Sequence, residues 1–194
     1  MATPSMSHLF RLAGVALLAC AVPSPTHAEA PRTTAAEPSH DGQHDFDWLL
    51  GKWKVRIRRL KNPLHGSNEW YEMTGTSVVS PILQGKGNIE DGVFDGPNGR
   101  VEAIMVRLYS QASGQWSLNW ATAKSPRFDV PTIGEFKNGR GEFYDQETID
   151  GRSILVRMIW SNITPTSAHY EQAFSADWGK TWEANWISDI TRIE

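Results

Sequence analysis

The sequence predicts an all-β domain in which about ten antiparallel strands close into an up-and-down barrel, with a short helical turn before the first strand. Turn-forming residues recur at roughly ten-residue intervals between His44 and Glu194, which is typical of antiparallel sandwiches and barrels. The segments between the turns are rich in β-branched and aromatic residues, and such residues favour strands. Apolar and polar residues alternate in most segments, so one face of nearly every strand is predicted to point into the barrel.

The elements follow from these turns in chain order. The helical turn is predicted at Phe46 to Leu50. The predicted strands are Trp53 to Leu60, Trp70 to Val79, Gly87 to Phe94, Val101 to Tyr109, Trp116 to Thr122, Thr132 to Phe136, Gly141 to Ile149, Ile154 to Asn162, His169 to Phe174 and Trp182 to Ile193.

Alternation within a strand also predicts which side chains point inward. The inward sets are Trp116, Leu118 and Trp120; Ile154, Val156, Met158 and Trp160; Trp182, Ala184, Trp186 and Ile190; and Ile104, Val106 and Leu108, which oppose Met105 and Arg107. The chain contains nine tryptophans, so much of its interior or of a binding surface is expected to be indole.

Composition excludes several classes of function. The 19 Lys and Arg nearly balance the 22 Asp and Glu, so the chain lacks the basic surface that nucleic-acid binding requires. The longest apolar run, Leu12 to Val22, is shorter than the roughly 20 residues of a membrane-spanning helix.

The amino terminus is predicted to be an export signal. Arg11, an apolar stretch and small residues before Ala28 predict a signal peptide over residues 1–28, and residues 29–43 then form a disordered tether before a domain at 44–194. The alternative is a lipoprotein anchored at Cys20, because Leu17-Leu18-Ala19-Cys20 resembles a lipobox. Since Cys20 is the single cysteine, the folded part has no thiol for disulfides, cysteine catalysis or cysteine-ligated zinc. We expect a secreted or periplasmic bacterial protein.

Gly51, Trp53 and Arg192 form the most informative constellation. In a small barrel the glycine lets the first strand enter tightly, the indole fills the closed end, and a cation from the last strand stacks on it. This pattern resembles the calycin superfamily of lipocalins and fatty-acid-binding proteins. Three longer segments resemble an uncharacterised bacterial family of exported, lipocalin-like domains, over about residues 44–194. They are Asp45 to Val55, Trp116 to Trp120 and Gln172 to Trp182. The resemblance implies a fold and little chemistry.

Residues 175–182 match the Asp-box pattern S-x-D-x-G-x-T-W. In this motif Asp177 bonds the amides of the turn, Gly179 takes a positive φ and Trp182 anchors the outgoing strand. Because the motif occurs once, it predicts a rigid turn between the last two strands and not a propeller.

No cofactor or metal site is predicted. His169 shares a strand face with Glu171, opposite Tyr170 and Phe174, which places it at the surface. The acidic pairs Glu69 and Glu72, Glu90 and Asp91, and Asp145 and Glu147 could serve acid–base catalysis, but we expect them to be solvated. No catalytic residue is therefore assigned.

The sequence thus predicts an exported protein that binds a small hydrophobic or aromatic ligand. The predicted binding residues are Trp120, Trp160, Tyr170, Gln172 and Trp186. One alternative is a cofactor-independent isomerase, cyclase or lyase, for which Glu72 and Tyr170 are the groups of interest. The other is an interaction module of the cell envelope with an exposed tryptophan patch. The same aromatic rings could also simply fill the barrel.

Overall fold

The computed structural model describes residues 41–193; the predicted signal peptide, Cys20 and most of the predicted tether lie outside them. Ten strands follow two short 3₁₀ turns, Gly42–His44 and Asp47–Leu49, and a third 3₁₀ turn, Leu83–Gly85, separates the second strand from the third. The strands are β1 Gly51–Leu60, β2 Trp70–Ile82, β3 Gly87–Gly96, β4 Gly99–Ser110, β5 Gln115–Thr122, β6 Thr132–Lys137, β7 Arg140–Ile149, β8 Arg152–Ser161, β9 Ser167–Ser175 and β10 Glu183–Arg192.

These strands form one closed antiparallel barrel. Each strand pairs with its neighbours in the chain, and β1 also pairs with β10. The predicted fold class, strand number and preceding helical turn are confirmed. Among the described residues, no helix is long and apolar enough to cross a membrane.

Trp53 and Arg192 face each other where β1 meets β10 at one end of the barrel. They are paired across the two strands, and the Arg192 guanidinium carbon lies 4.3 Å from the centroid of the Trp53 ring. The Trp53 indole is fully buried, and its Nε1 donates to the Leu49 carbonyl at 2.6 Å. Gly51 has a φ of 120°, a conformation that favours glycine at the entry to β1.

Arg192 also fastens the segment before β1. Its side chain donates to the carbonyls of Leu50 at 2.6 Å, Trp48 at 2.5 Å and Pro165 at 2.8 Å. The two 3₁₀ turns before β1 therefore lie across this end of the barrel, and Arg192 helps to hold them there.

An aromatic cluster around Phe46 fills the end that these turns cover. The Phe46 ring, itself fully buried, lies 5.0 Å from Trp116 and 4.9 Å from Phe136 in edge-to-face contacts. The Trp116 Nε1 donates to the Gly42 carbonyl at 2.8 Å. We call this end the closed end.

The Asp-box residues form the turn between β9 and β10. Asp177 accepts from the Thr181 amide at 2.9 Å, the Thr181 hydroxyl at 2.7 Å and the Ser175 hydroxyl at 2.8 Å, and Gly179 has a φ of 85°. These hydrogen bonds hold the pKa of Asp177 at about 2, below the ordinary value.

The predicted orientation of β4 is wrong. Met105 and Arg107 are buried inside the barrel, whereas Ile104, Val106 and Leu108 lie on the outer face and are half-buried. Arg107 is tolerated inside because it donates to Asn88 at 3.0 Å and pairs with Glu90 at 2.5 Å. Alternation could not reveal this, since both faces of the strand carry apolar residues.

Trp182 is also misplaced by the prediction, which put it on the inward face with Trp186. It precedes β10 and lies outside the barrel, beneath the Arg157 guanidinium at 4.4 Å and next to the exposed Tyr144 ring at 6.2 Å. The cause is a bulge between Ala184 and Trp186, because an extra residue in a strand shifts the alternation by one.

Candidate ligand-binding cavity

The barrel interior contains a cavity of about 240 Å³. All five predicted binding residues, Trp120, Trp160, Tyr170, Gln172 and Trp186, line it. Their ligand-binding role remains a prediction, but the structure brings them together as alternation implied.

Aromatic rings form a continuous wall of this cavity. Trp160 lies 5.0 Å from Tyr170, Tyr170 lies 6.5 Å from Trp186, and Trp186 lies 5.7 Å from Trp120, each distance joining ring centroids. Beyond Trp160 the wall continues towards the closed end through Trp48, whose ring centroid lies 5.5 Å from that of Trp160. The Trp186 Nε1 donates to Ser188 at 2.8 Å, and Gln172 donates to Asn185 at 2.9 Å. These contacts fix the orientation of two lining side chains.

Two arginines contribute positive charge to the lining. Arg107 is fully buried and is neutralised by Glu90. Arg59 has no carboxylate partner among the described residues; its guanidinium carbon instead lies 4.0 Å from the centroid of the Trp186 ring. Burial lowers the pKa of Arg59, but an arginine stays protonated at any physiological pH.

Besides Glu90, three carboxyl groups contribute negative charge to the lining. Asp145 and Glu147 lie on the same inner face of β7 as Phe143. Asp129 comes from the segment between β5 and β6. Burial, together with the negative charges of Glu147 and Asp129, raises the pKa of Asp145 to about 7. Burial and Asp129 also raise the pKa of Glu147. The expectation of solvation is wrong for Asp145, whose two carboxyl oxygens are buried, whereas Glu147 is half-buried.

Several buried polar atoms of the lining have no hydrogen-bond partner within residues 41–193. They are both carboxyl oxygens of Asp145, the Nε1 of Trp160, and the Nε atoms of Arg59 and Arg107. Buried polar groups are normally satisfied, so the cavity offers hydrogen bonds that the protein itself does not use. Burial raises the pKa of Tyr170 well above its ordinary value, which keeps this lining phenol neutral.

Two connecting segments lie over the end opposite the closed end. In the β1–β2 connection, the Leu64 amide donates to Glu183 at 2.6 Å, and His65 pairs with Asp150 at 3.1 Å. In the β5–β6 connection, the Asp129 amide donates to the Trp120 carbonyl at 2.9 Å. Asp129 and Val130 are exposed and line the cavity, so this second connection forms part of its rim.

Other candidate residues lie away from the cavity. Glu72 is exposed and pairs with Arg56 at 2.8 Å on the outer surface. His169 lies outside the barrel and pairs with Asp189 at 2.7 Å, which confirms its predicted surface position. Within residues 41–193, no group of three or more His, Cys, Asp or Glu could hold a metal ion.

The charged lining residues are the part of the site that sequence reasoning missed. For Asp145 and Glu147 a signal was present, because alternation from the aromatic Phe143 places both on the inner face of β7. For Arg59 the same signal was present, because it follows Trp53, Val55 and Ile57 at alternate positions of β1.

Comparisons with known proteins show the fold alone. No protein-family model and no curated protein matches this chain. Among solved structures, it is similar to the S-type phycobiliprotein lyase CPES from Guillardia theta, with a TM-score of 0.50 and 11% sequence identity. That match covers 81% of this chain and 99% of the lyase chain. A further match is EF1p2_mFAP2b bound to DFHBI, with a TM-score of 0.42, 7% identity and coverage of 78% and 98% of the two chains.

Proposed function

We propose that this chain is an exported protein that binds a small, largely aromatic molecule inside its barrel. The observation that carries the proposal is the cavity of about 240 Å³ with its wall of Trp120, Trp160, Tyr170 and Trp186. Aromatic walls with a few polar groups are typical of small-molecule sites, because apolar burial drives association and the polar groups orient the ligand.

The cavity size limits the ligand. The cavity has a volume of about 240 Å³. Drug-sized ligands occupy sites of about 300–1,000 Å³. The proposed ligand is therefore a compound of one or two rings.

Export is part of the proposal and rests on the amino-terminal sequence. Cleavage after Ala28 gives a soluble secreted or periplasmic protein, whereas lipidation at Cys20 gives an anchored one. Intact-mass spectrometry of the chain recovered from a bacterial host distinguishes them: a mature terminus at Glu29 supports soluble export, and a lipid-modified Cys20 supports the anchor. An uncleaved chain in the cytoplasm contradicts both.

Intrinsic tryptophan fluorescence tests ligand binding directly. The chain is titrated with a panel of small aromatics, lipids and porphyrins, and its melting temperature is recorded with each compound. We expect a one- or two-ring aromatic to quench the emission and to raise the melting temperature, because a ligand that binds only the folded state stabilises it. A panel in which no compound does either contradicts the proposal.

A matched pair of variants locates the quenched rings. Trp120→Phe removes an indole that lines the cavity, and Trp182→Phe removes one that lies outside it. Quenching should fall in the first variant and persist in the second.

A second candidate is a cofactor-independent isomerase, cyclase or lyase acting in the same cavity. The observation that favours it is Asp145, a lining carboxyl whose pKa of about 7 suits proton transfer near neutral pH. Glu72 no longer supports it, because that side chain lies outside. The phycobiliprotein lyase named above indicates that the barrel fold is compatible with a lyase. The test compares the unaltered chain with Asp145→Asn. An enzyme is supported if the unaltered chain converts a compound that Asp145→Asn binds but does not convert. If the unaltered chain binds compounds and converts none of them, the enzyme is contradicted.

The interaction-module alternative gains less support. Of the nine tryptophans, all of which lie within residues 41–193, Trp178 alone is largely exposed, with 66% of its surface accessible. A single exposed ring is ordinary for a globular surface and does not form the contiguous patch that a membrane or protein interface needs.

A further inference from the structure

The unpartnered polar atoms of the cavity specify the ligand more narrowly than its aromatic wall does. Trp160 is buried, with 6% of its surface exposed, and its Nε1 lacks a partner. Both carboxyl oxygens of Asp145 are likewise buried without a hydrogen-bond donor from residues 41–193. These two residues line the same cavity, so a ligand there meets both.

Asp145 favours a ligand that carries a hydrogen-bond donor. Its ionised carboxyl group has only acceptor sites. The side-chain charges that act on this carboxyl group are those of Glu147 and Asp129, which share its sign. Arg107 is committed to Glu90 and Asn88, and Arg59 stacks on Trp186. No cation within residues 41–193 is therefore paired with Asp145, and an N–H group of the ligand would take that place.

Trp160 favours a ligand that carries a hydrogen-bond acceptor. An indole N–H is a donor only, and its ring is held between Tyr170 at 5.0 Å and Trp48 at 5.5 Å. A fixed ring keeps the direction of its N–H fixed as well. A carbonyl oxygen or an unprotonated ring nitrogen of the ligand would accept this hydrogen bond.

The two groups are separated along the barrel. Asp145 pairs with Val156 across β7 and β8, and Trp160 lies four residues farther along β8. Both side chains line the cavity but from different positions along the barrel, so a ligand that meets both must direct its donor and its acceptor away from each other. The two nitrogens of benzimidazole, a two-ring compound within the size that the cavity allows, point in diverging directions of this kind.

We propose that the ligand is a planar two-ring heteroaromatic, with an N–H donor directed at Asp145 and a ring acceptor directed at Trp160. This inference rests on the proposed function and deepens it by naming a ligand class. An aromatic hydrocarbon would fill the same volume but would leave both groups unpaired.

Four compounds with the same nine-atom bicyclic frame separate these contributions. Indene offers no strong hydrogen-bonding group, benzofuran offers an acceptor, indole offers a donor, and benzimidazole offers both. Affinities are measured by isothermal titration at pH 8, where benzimidazole is uncharged and Asp145, with its pKa of about 7, is mostly ionised. We expect benzimidazole to bind about tenfold or more tighter than indene, with indole and benzofuran between them.

Two variants assign each preference to its residue. Asp145→Leu keeps the approximate volume but removes the acceptor, so indole and benzimidazole should lose about tenfold in affinity while indene does not. Trp160→Phe removes the indole N–H, so benzofuran and benzimidazole should lose affinity while indole keeps its advantage over indene. Asp91→Asn changes an exposed carboxyl on β3 that does not line the cavity; it is the control and should leave all four affinities unchanged.

Each outcome separates this inference from the proposed function. Equal affinities for all four compounds, or rankings that Asp145→Leu and Trp160→Phe leave unchanged, overturn the inference while a binding cavity stands. Failure of all four to bind, when another aromatic of the fluorescence panel binds, also overturns it alone. If no aromatic binds at all, both fail. Retained indene binding in each variant shows that the cavity is intact, so a loss with the polar compounds is not due to misfolding.

Discussion

Arg192 joins three separate parts of the chain at the closed end. It stacks on Trp53 and donates to the carbonyls of Trp48, Leu50 and Pro165. The stacking alone would make the removal of this side chain mildly destabilising. The hydrogen bonds add to that effect, because truncation also leaves the carbonyls of Trp48 and Leu50 without their donor.

We therefore predict that Arg192→Ala lowers the free energy of unfolding by roughly 2–4 kcal/mol, combining a cation–π contact with charged hydrogen bonds that are not additive. Trp53→Ala should cost about 3–5 kcal/mol, as is usual for a buried tryptophan. Urea unfolding followed by circular dichroism measures both. Ligand affinity in Arg192→Ala should be unchanged, since neither Arg192 nor Trp53 lines the cavity; a lost affinity would contradict this separation.

Asp145 gives the protein a stability that depends on pH. Its folded pKa of about 7 exceeds the ordinary value near 4, so between these values the folded state binds more protons than the unfolded state. By linkage, this group makes the protein less stable as pH rises from about 4 to 7.

We predict that Asp145→Asn melts close to the parent chain at pH 4 and above it at pH 8. Differential scanning calorimetry at both pH values checks this, with Asp91→Asn as the exposed control. A variant that loses stability as pH rises as steeply as the parent would show that Asp145 is not the responsible group.

For single residues, alternation was most informative where polar or small residues flank a ring on both sides, as they do at Trp120 and Tyr170. Trp160 and Trp186 each have one isoleucine neighbour and were placed by the other apolar residues of their strands. Arg107 could not be found, because its cost of burial is offset by Glu90 and Asn88 from a different strand, and a partner across strands leaves no mark on the local pattern.

The Asp-box turn is an element whose strength depends on one ionised side chain. Asp177 accepts three hydrogen bonds, and its pKa is lowered to about 2. A lowered pKa means that the stabilisation is present above the unfolded pKa near 4 and is lost as pH falls through about 2.

Accordingly, Asp177→Asn should lower the melting temperature at pH 6, and its deficit relative to the parent should shrink as pH approaches 2. Thermal melts across this range measure the difference. A deficit independent of pH would mean that the geometry of the side chain matters and its charge does not.

Gly134 marks the close approach of β6 to β7. A Cβ atom at this position would lie 1.9 Å from the Glu142 carbonyl oxygen and 2.7 Å from the Phe143 Cα. We predict that Gly134→Ala costs roughly 1–3 kcal/mol or more, because the backbones must separate. Denaturant unfolding measures this cost, and a variant as stable as the parent would contradict the close contact.

Element boundaries were largely predictable because Gly, Asn, Asp and Pro mark nearly every hairpin. The β10 strand shows the limit of that reasoning. Its bulge between Ala184 and Trp186 shifts the alternation, and a bulge is set by pairing with β9, so the sequence of β10 alone places Trp182 on the wrong face.

For the whole molecule, the two ends of the barrel have different tasks. The closed end is filled by Phe46, Trp53 and Trp116 and fixed by Arg192, which supplies stability. The remaining interior is lined by aromatic rings and unpaired polar groups around about 240 Å³ of space. The sequence predicted the rings but not the space, because packing between strands decides whether large side chains fill a barrel or surround a cavity.

A crystal structure of the chain soaked with 5-bromoindole tests that central claim most directly. The bromine gives an anomalous signal that marks its position independently of the protein density. We predict one strong peak inside the barrel, among Trp120, Tyr170 and Trp186, with the barrel strands unchanged. Density in which protein side chains fill the space beside those rings, with no bromine peak inside the barrel, would contradict a ligand cavity and leave a filled core.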